Sequence, residues 1–368
     1  MKTSFLSISI LFLALAHQAY SQQKFNKEQL LLASSERADI SIGNDWYENR
    51  WRISPQIERD SLRLALYGKH ESFAFRTDKD SLRFSIKPGE TKSFYVKLGD
   101  SPPAHTFITA SAYPWDKILY ANVGKNKDVQ LLFEKKDHAY FDSLRTSYPI
   151  AHLIDEKKSD TENVLSILNW THHQWKHNGG NTPKGSDGIS ILNEARTGGR
   201  FPCFAYAIVL RDQLTAYGFP SRVLYLKTKD AEHRKGSPGH VATEVYLKDL
   251  KKWVFIDGQF NVMPMLNGKP LNAVEFQRAL SHHYDRVKIA SHDTVSKRGY
   301  TEFVYDYLYY LDTALDNSIP SKKTIEGKRS IMLVPQGAPE LKSIEFWNSI
   351  VDYCIYTNNI NDFYPKLN

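Results

Sequence analysis

The stretch that most constrains the fold is FPCFAYAIVLRDQLTAYGFPSR, from Phe201 to Arg222. From Pro202 to Tyr217 it reads as a helix with apolar residues on most faces. Pro202 suits the first helical turn. Gly218 suits the C′ position, where a chain leaves a helix in a left-handed conformation. A helix apolar nearly all round is a buried, central one.

The flanking patterns supply what could bury it. SRVLYLKT, HVATEVYL and KWVFIDG follow as strands. Before it, Thr161 to Trp175 reads as a helix carrying Val164, Leu165, Leu168 and Trp175, KHNGGNTPKGSDG as a loop, and ISILNEART as a short helix. Beyond Met265 the pattern reads as helices (NAVEFQRALSHHYDRV, YTEFVYDYLYYLDTAL, SIEFWNSIVDYC) with one strand, RSIMLVP. From about Ala38 to Glu134 apolar and polar residues alternate in DSLRLALYG, ESFAFRT, DSLRFSIKPGETKSFYVKLG and HTFITASAY, broken by turn-forming KPGE and GDSPPAH. Short strands at this spacing predict an antiparallel sandwich. Lys136 to Lys158 is charged and reads as a helical link. The expected fold is α+β, with a leader at 1–21, a β-sandwich-like domain at 22–136, a linker at 137–160, a core at 161–270 and a mainly helical region at 271–368.

The leader is MKTSFLSISILFLALAHQAYSQQ. Lys2 is its charged start, Phe5 to Ala16 its apolar centre, and Ala19-Tyr20-Ser21 offers small residues for cleavage before Gln22. The apolar run is short for a membrane span, so the expectation is an exported chain, periplasmic or extracellular, without stable membrane insertion. The net charge of +7 over 368 residues is scattered among acidic residues. No basic stripe or motif points to nucleic acid.

The 2 cysteines are Cys203 and Cys354. Export permits a disulfide between them. Against that, Cys203 opens the central helix, where unpaired N–H groups and the helix dipole stabilise a thiolate. Such a nucleophile needs a histidine held by a carboxylate or amide. GHVATEVYLKDLKKWVFIDGQ reads as a hairpin with its polar turn at Lys248 to Lys251. A turn centred on Asp249 and Leu250 makes His240 and Asp257 diagonal neighbours on one sheet face; one centred on Lys248 and Asp249 puts them opposite. Any even loop keeps them together, and an odd one separates them. Glu244, Tyr246, Trp253 and Phe255 share their face; Val241, Val245, Val254 and Ile256 take the other. A helix starting at Cys203 and packed on the first face would unite thiol, imidazole and carboxylate.

These residues resemble the transglutaminase-like superfamily, a branch of the papain-like cysteine enzymes. The resemblance rests on Cys203 opening a buried helix, GFPSR from Gly218 to Arg222, His240 with Glu244, and Trp253 with Asp257. It covers roughly Thr161 to Val262. It implies a papain-like α+β core between the sandwich and a helical C-terminal extension. It also implies Cys203 as nucleophile, His240 as general base and then acid, Asp257 as the group orienting His240, and the Cys203 N–H in the oxyanion site. Trp170 and Trp175 are the candidates for a second oxyanion donor. The sequence departs from the family in Pro202, before the nucleophile, and in His240-Val241-Ala242, which lacks the aromatic wall many members place there.

The expected activity is cleavage of a peptide or protein amide, including a cell-envelope peptide or glycan, by hydrolysis of an acyl-thioester. Acyl transfer to an amine uses the same intermediate, and a non-catalytic peptide- or glycan-binding module is the reading from another class. No cofactor and no metal are expected. His173 and His177 have i, i+4 spacing but no obvious third ligand. DKDSLRF begins like a calcium loop, but Arg83 stands where glycine is required.

Overall fold

The computed structural model describes residues 23–54, 59–124 and 129–367; the segment expected as a leader, 1–21, lies outside them. The described residues divide into two compact units, those up to 65 with 70–111, and 66–69 with those from 112 onward.

The first unit is built from strands β1 (Glu28–Ala33), β2 (Arg37–Ile42), β3 (Asp45–Arg52), β4 (Arg59–Leu66), β5 (Glu71–Arg76), β6 (Ser81–Ile86), β7 (Thr91–Leu98) and β8 (Ala104–Ala112). One sheet runs β3-β2-β5-β6 and is antiparallel; the other runs β1-β7-β8-β4, with the two-residue strand Lys24–Phe25 beyond β1. Strands β1 and β7 pair in parallel, against the expected antiparallel order. The buried rings of Phe75 on β5 and Phe94 on β7 meet at 5.1 Å, so the two sheets pack face to face. The DKD turn, rejected above as a calcium loop, spends its carboxylates on the chain itself. Asp78 accepts from the N–H groups of Ser34 and Ser35, and Asp80 from that of Leu32.

In the second unit the central helix forms where expected, as α4. The helices of eight residues or more are α1 (Ala139–Ser147), α2 (Asp160–His172), α3 (Gly188–Arg196), α4 (Cys203–Ala216), α5 (Ala273–His283) and α6 (Lys297–Val304), and a single turn, Ile360–Phe363, follows near the C-terminus. The main sheet has six strands: β9 (Ser221–Lys227), β10 (Gly239–Leu247), β11 (Lys252–Ile256), β12 (Tyr310–Ala314), β13 (Ser330–Leu333) and β14 (Cys354–Thr357). Their order is β11-β10-β9-β12-β13-β14, antiparallel except for β13 with β14. Gly218 ends α4 at φ +86°. Its N–H bonds the Thr215 carbonyl and the Phe219 N–H bonds that of Leu214, the paired closure that satisfies a helix's last carbonyls.

Helix α4 is apolar all round because it is covered all round. Leu210 and Leu214 pack with Ile167 and Leu168 of α2 and with Val245, Val254 and Ile256 of the sheet. Tyr206 and Val209 pack with Phe141 and Leu144 of α1 and Ile191 and Leu192 of α3. Each fully buried leucine contributes about 1.5–3 kcal/mol. Helix α1 therefore packs in this core and is not a free link. The sheet face under α4 corrects the expectation: α4 lies on the side of Val245, Val254 and Ile256, not on that of His240 and Glu244. Within the hairpin the chosen side is mostly apolar. Two hydroxyls on this sheet face bond α4: Thr243 donates to the Ala207 carbonyl and Ser221 to the Arg211 carbonyl. The opposite side, with Phe255, is covered by Phe276 and Leu280 of α5 and Tyr300 and Val304 of α6.

The C-terminal region is not mainly helical. YTEFVYDYLYYLDTAL is helical only at its start and then becomes β12, an interior strand. SIEFWNSIVDYC forms two short strands, Ser343–Ile344 and Ser349–Ile350, around a turn where Asn348 has φ +47°. Cys354 begins a strand. These segments are rich in Ile, Val, Tyr and Trp, whose side chains favour a pleated surface, and partners distant in sequence decide their state.

Candidate active site

Three residues at element ends build the site. Cys203 is the first residue of α4, His240 the second of β10, and Asp257 follows β11 directly. The hairpin register pairs Glu244 with Phe255 and Leu247 with Lys252, which centres the turn on Asp249 and Leu250. His240 and Asp257 are thus diagonal neighbours. The His240 Nε2–Asp257 Oδ2 distance is 2.7 Å, with side-chain exposures of 3% and 0%. Although α4 packs on the far sheet face, its first residue reaches this end of the sheet, and Cys203 and His240 line one cleft. With Nε2 taken by Asp257, Nδ1 is the nitrogen left for the thiol.

The electrostatics favour a charged imidazole. Burial alone would lower the pKa of His240. The Asp257 charge and hydrogen bond, and then Cys203, more than offset it and raise the value to about 10. Asp257 is saturated. Its Oδ2 also accepts from the Tyr300 hydroxyl at 2.8 Å, and its Oδ1 from the N–H groups of Gln259 and Phe260. Burial, and then the Asp257 charge, push the Tyr300 hydroxyl well above its ordinary pKa, so it stays a donor. The rings of Phe303, Tyr307 and Phe260 surround the imidazole at 5.0, 6.0 and 6.1 Å.

No side chain caps α4, whose N-cap is Pro202. The first N–H groups of the helix are left for a ligand. They face a cleft of about 460 Å³ lined by Cys203, His240, Tyr225, Trp347 and Tyr353 among others. The aromatic wall missing after His240 in the sequence is thus supplied by Trp347, from the C-terminal hairpin. Cys203 and Cys354 are both free. Burial pushes the Cys354 thiol far up.

The two expected tryptophans do not line this cleft. The Trp175 indole N–H donates to the Phe201 carbonyl at 3.3 Å, and its ring packs on Tyr206. Trp170 lies among the apolar side chains around α4. Tyr300, Phe303 and Trp347 were missed by sequence reasoning; each lies at least 43 residues beyond Asp257. His177 is also near. Burial, and then the His240 charge, lower its pKa.

The remaining motif residues are structural. Arg222 and Glu244, both fully buried, pair at 2.6 Å. The guanidinium also donates to the Phe363 carbonyl and lies over the rings of Trp253, Phe363 and Tyr364.

Residues 150–258 match the model of the transglutaminase-like superfamily. No curated protein matches the sequence. Among solved structures, a candidate cysteine protease from Cytophaga hutchinsonii is similar at 16% identity and TM-score 0.28, covering 57% of this chain and 78% of its own. LapG of Legionella pneumophila, treated with EGTA, is similar at 16% identity and TM-score 0.24, covering 43% and 81%. Both likenesses are too weak to bear on activity. No helix among the described residues is long and apolar enough to cross a membrane. Residues 150–258 of this chain are a transglutaminase-like superfamily domain, and Cys203, His240 and Asp257 all lie within it.

Proposed function

We propose that this protein is an exported cysteine hydrolase that cleaves peptide amides through Cys203, His240 and Asp257. The observation that carries the reading is a thiol at an uncapped helix N-terminus, beside a buried imidazole that a buried carboxylate keeps charged. The Cys203 thiolate attacks the amide carbonyl. The oxyanion is held by the Cys203 N–H and the positive end of α4. The C–N bond breaks as His240 gives its proton to the leaving amine. Water, deprotonated by His240, then attacks the thioester, and the acid leaves with regeneration of the thiolate. Asp257 keeps the imidazole in one orientation throughout. The aromatic walls of Tyr225, Trp347 and Tyr353 suit an extended peptide with an apolar side chain at the scissile bond, and the leader at 1–21 suits a substrate in the cell envelope.

The test is alkylation by iodoacetamide at pH 7 in a Cys354→Ser background, followed by peptide hydrolysis. His240→Ala should slow alkylation of Cys203 at least about tenfold, and Cys203→Ala should abolish amide cleavage. Equal alkylation rates with and without His240 overturn the reading. Products carrying an added primary amine instead of a free acid would move it to acyl transfer.

A further inference from the structure

Behind the candidate triad lies a second cluster of polar side chains, on the opposite side of the Asp257 turn. His172 closes α2, His173 caps it, and Asp293 faces both. One ligating atom from each of the three lies within 4.8 Å of the others. The expected i, i+4 partner of His173, His177, is not in the group, because α2 ends at His172 and the helical spacing stops there.

The hydrogen bonds fix what these histidines present. His172 Nδ1 lies 3.1 Å from the Gly258 carbonyl oxygen, and His173 Nδ1 lies 2.8 Å from that of Asn169. A carbonyl only accepts, so each Nδ1 carries the proton, and in a neutral ring Nε2 is then a lone pair. Both Nε2 atoms point at the Asp293 carboxylate, at 3.8 and 3.7 Å. That is too far for a hydrogen bond. Elsewhere in this chain, where a histidine does hydrogen-bond a carboxylate, the distance is 2.7 Å for His240 with Asp257, 2.9 Å for His105 with Glu28 and 2.7 Å for His233 with Glu345. Neutral, the two lone pairs and the carboxylate repel across such gaps; a proton on Nε2 or a cation between them relieves this, and the cation is the one that needs the wider spacing. Tetrahedral bonds of roughly 2.0–2.1 Å place ligand atoms about 3.4 Å apart; the two nitrogen–carboxylate distances are a few tenths longer, and the three ligand atoms lie within 4.8 Å, so a small inward shift closes the set on an ion.

We propose that His172, His173 and Asp293 bind a borderline divalent transition metal, Zn²⁺ by its chemistry, with a fourth position open to solvent. Two imidazoles and one carboxylate are a nitrogen- and oxygen-donor set that suits zinc over calcium or magnesium. Each ligand is already oriented from behind, as metal ligands are: the histidines by backbone carbonyls, Asp293 by the Asn261 amide at 2.7 Å. Asn261 is fully buried and also bonds Asn169 Oδ1 of α2. The fourth side opens on a basin of about 560 Å³ that also borders Gln259 and Tyr300. The metal would clamp the turn after Asp257 to the end of α2. Gly258 supplies one orienting carbonyl, Asn261 the amide, and the turn is closed by mutual bonds between Asp257 and Val262.

The test uses the full chain without an affinity tag, stripped with a chelator. It is titrated with Zn²⁺ against a chromogenic chelator, then with Co²⁺ while visible absorption is followed. One equivalent of Zn²⁺ should bind, and Co²⁺ should give the intense bands of a four-coordinate site. Asp293→Asn keeps the shape and lies at the surface, so it should fold as wild type; it and His173→Gln should each weaken binding by more than about 100-fold. His282→Gln should leave binding unchanged. No bound equivalent in the wild type, or an equivalent that survives Asp293→Asn and His173→Gln, overturns the proposal. Binding is read without any assay of peptide cleavage, so it stands or falls apart from the proposed activity.

Discussion

Tyr300 Oη donates to the same oxygen of Asp257 that receives His240 Nε2, at 2.8 Å against 2.7 Å. A helix 43 residues downstream thus shares the carboxylate that holds the imidazole. Tyr300→Phe removes one hydrogen bond to a buried charge, worth about 1.5–3 kcal/mol. It should lower stability by that order and kcat/KM by roughly tenfold through looser orientation of His240. Chemical denaturation and peptide-cleavage kinetics check it. An unchanged kcat/KM would mean that Gln259 and Phe260 hold Asp257 unaided.

The raised pKa of His240 sets a pH window for stability. The ordinary imidazole value is about 6.5, and the folded value is about 10. The folded state binds this proton more tightly than the unfolded chain. The contribution is therefore complete below about pH 6.5 and is lost as pH rises through about 10. Thermal midpoints measured between pH 6 and 10.5 should fall more steeply in wild type than in His240→Gln, which can still donate to Asp257. Other alkaline titrations cancel in the comparison. Parallel curves would show that the pair is not charged.

The Arg222–Glu244 pair is a structural claim with its own test. Both side chains are fully buried, and Glu244 Oε1 also accepts from the Ala273 N–H and the Tyr364 hydroxyl. Glu244→Ala leaves a guanidinium buried and unpaired, at a cost of about 3–5 kcal/mol. The midpoint of thermal unfolding should fall by roughly 10 °C. Arg222→Met combined with Glu244→Leu should recover part of that loss, because neither charge then needs water. A double variant worse than Glu244→Ala would count against this account.

The hairpin carrying His240 and Asp257 was legible because its polar turn, Lys248 to Lys251, has four residues and lies between two runs rich in β-branched and aromatic residues. Parity alone then kept the two residues on one face. The closure of α4 was legible from Gly218 because the left-handed conformation there favours a residue without Cβ. The face on which α4 packs was not read correctly, although the Val241, Val245, Val254 and Ile256 side was plainly the more apolar. Tyr300 and Trp347 left no local signal. Their roles depend on strands β12 to β14, and β14 pairs in parallel with β13 across 24 residues. Aromatic and β-branched residues at mixed spacing in 300–315 and 343–354 fit a helix as well as a strand until those partners are placed.

Trp347 tests the cleft itself. Its ring is about half exposed and lies over Gly239, the residue before His240: a Cβ at 239 would come 2.6 Å from the indole and 3.0 Å from the Leu226 carbonyl oxygen. Gly239 therefore lets the ring close on the strand that carries the imidazole. A wall of this kind touches the peptide alike in the ground and transition states, so its loss should raise KM and leave kcat near its original value. Trp347→Ala should raise KM for an apolar peptide about tenfold. Gly239→Ala, which must displace the ring, should move KM in the same direction by less. Trp347→Phe, keeping an aromatic face, should recover most of the affinity. A fall in kcat with KM unchanged would instead place Trp347 in the chemistry, and no effect on either would remove the C-terminal hairpin from the substrate site.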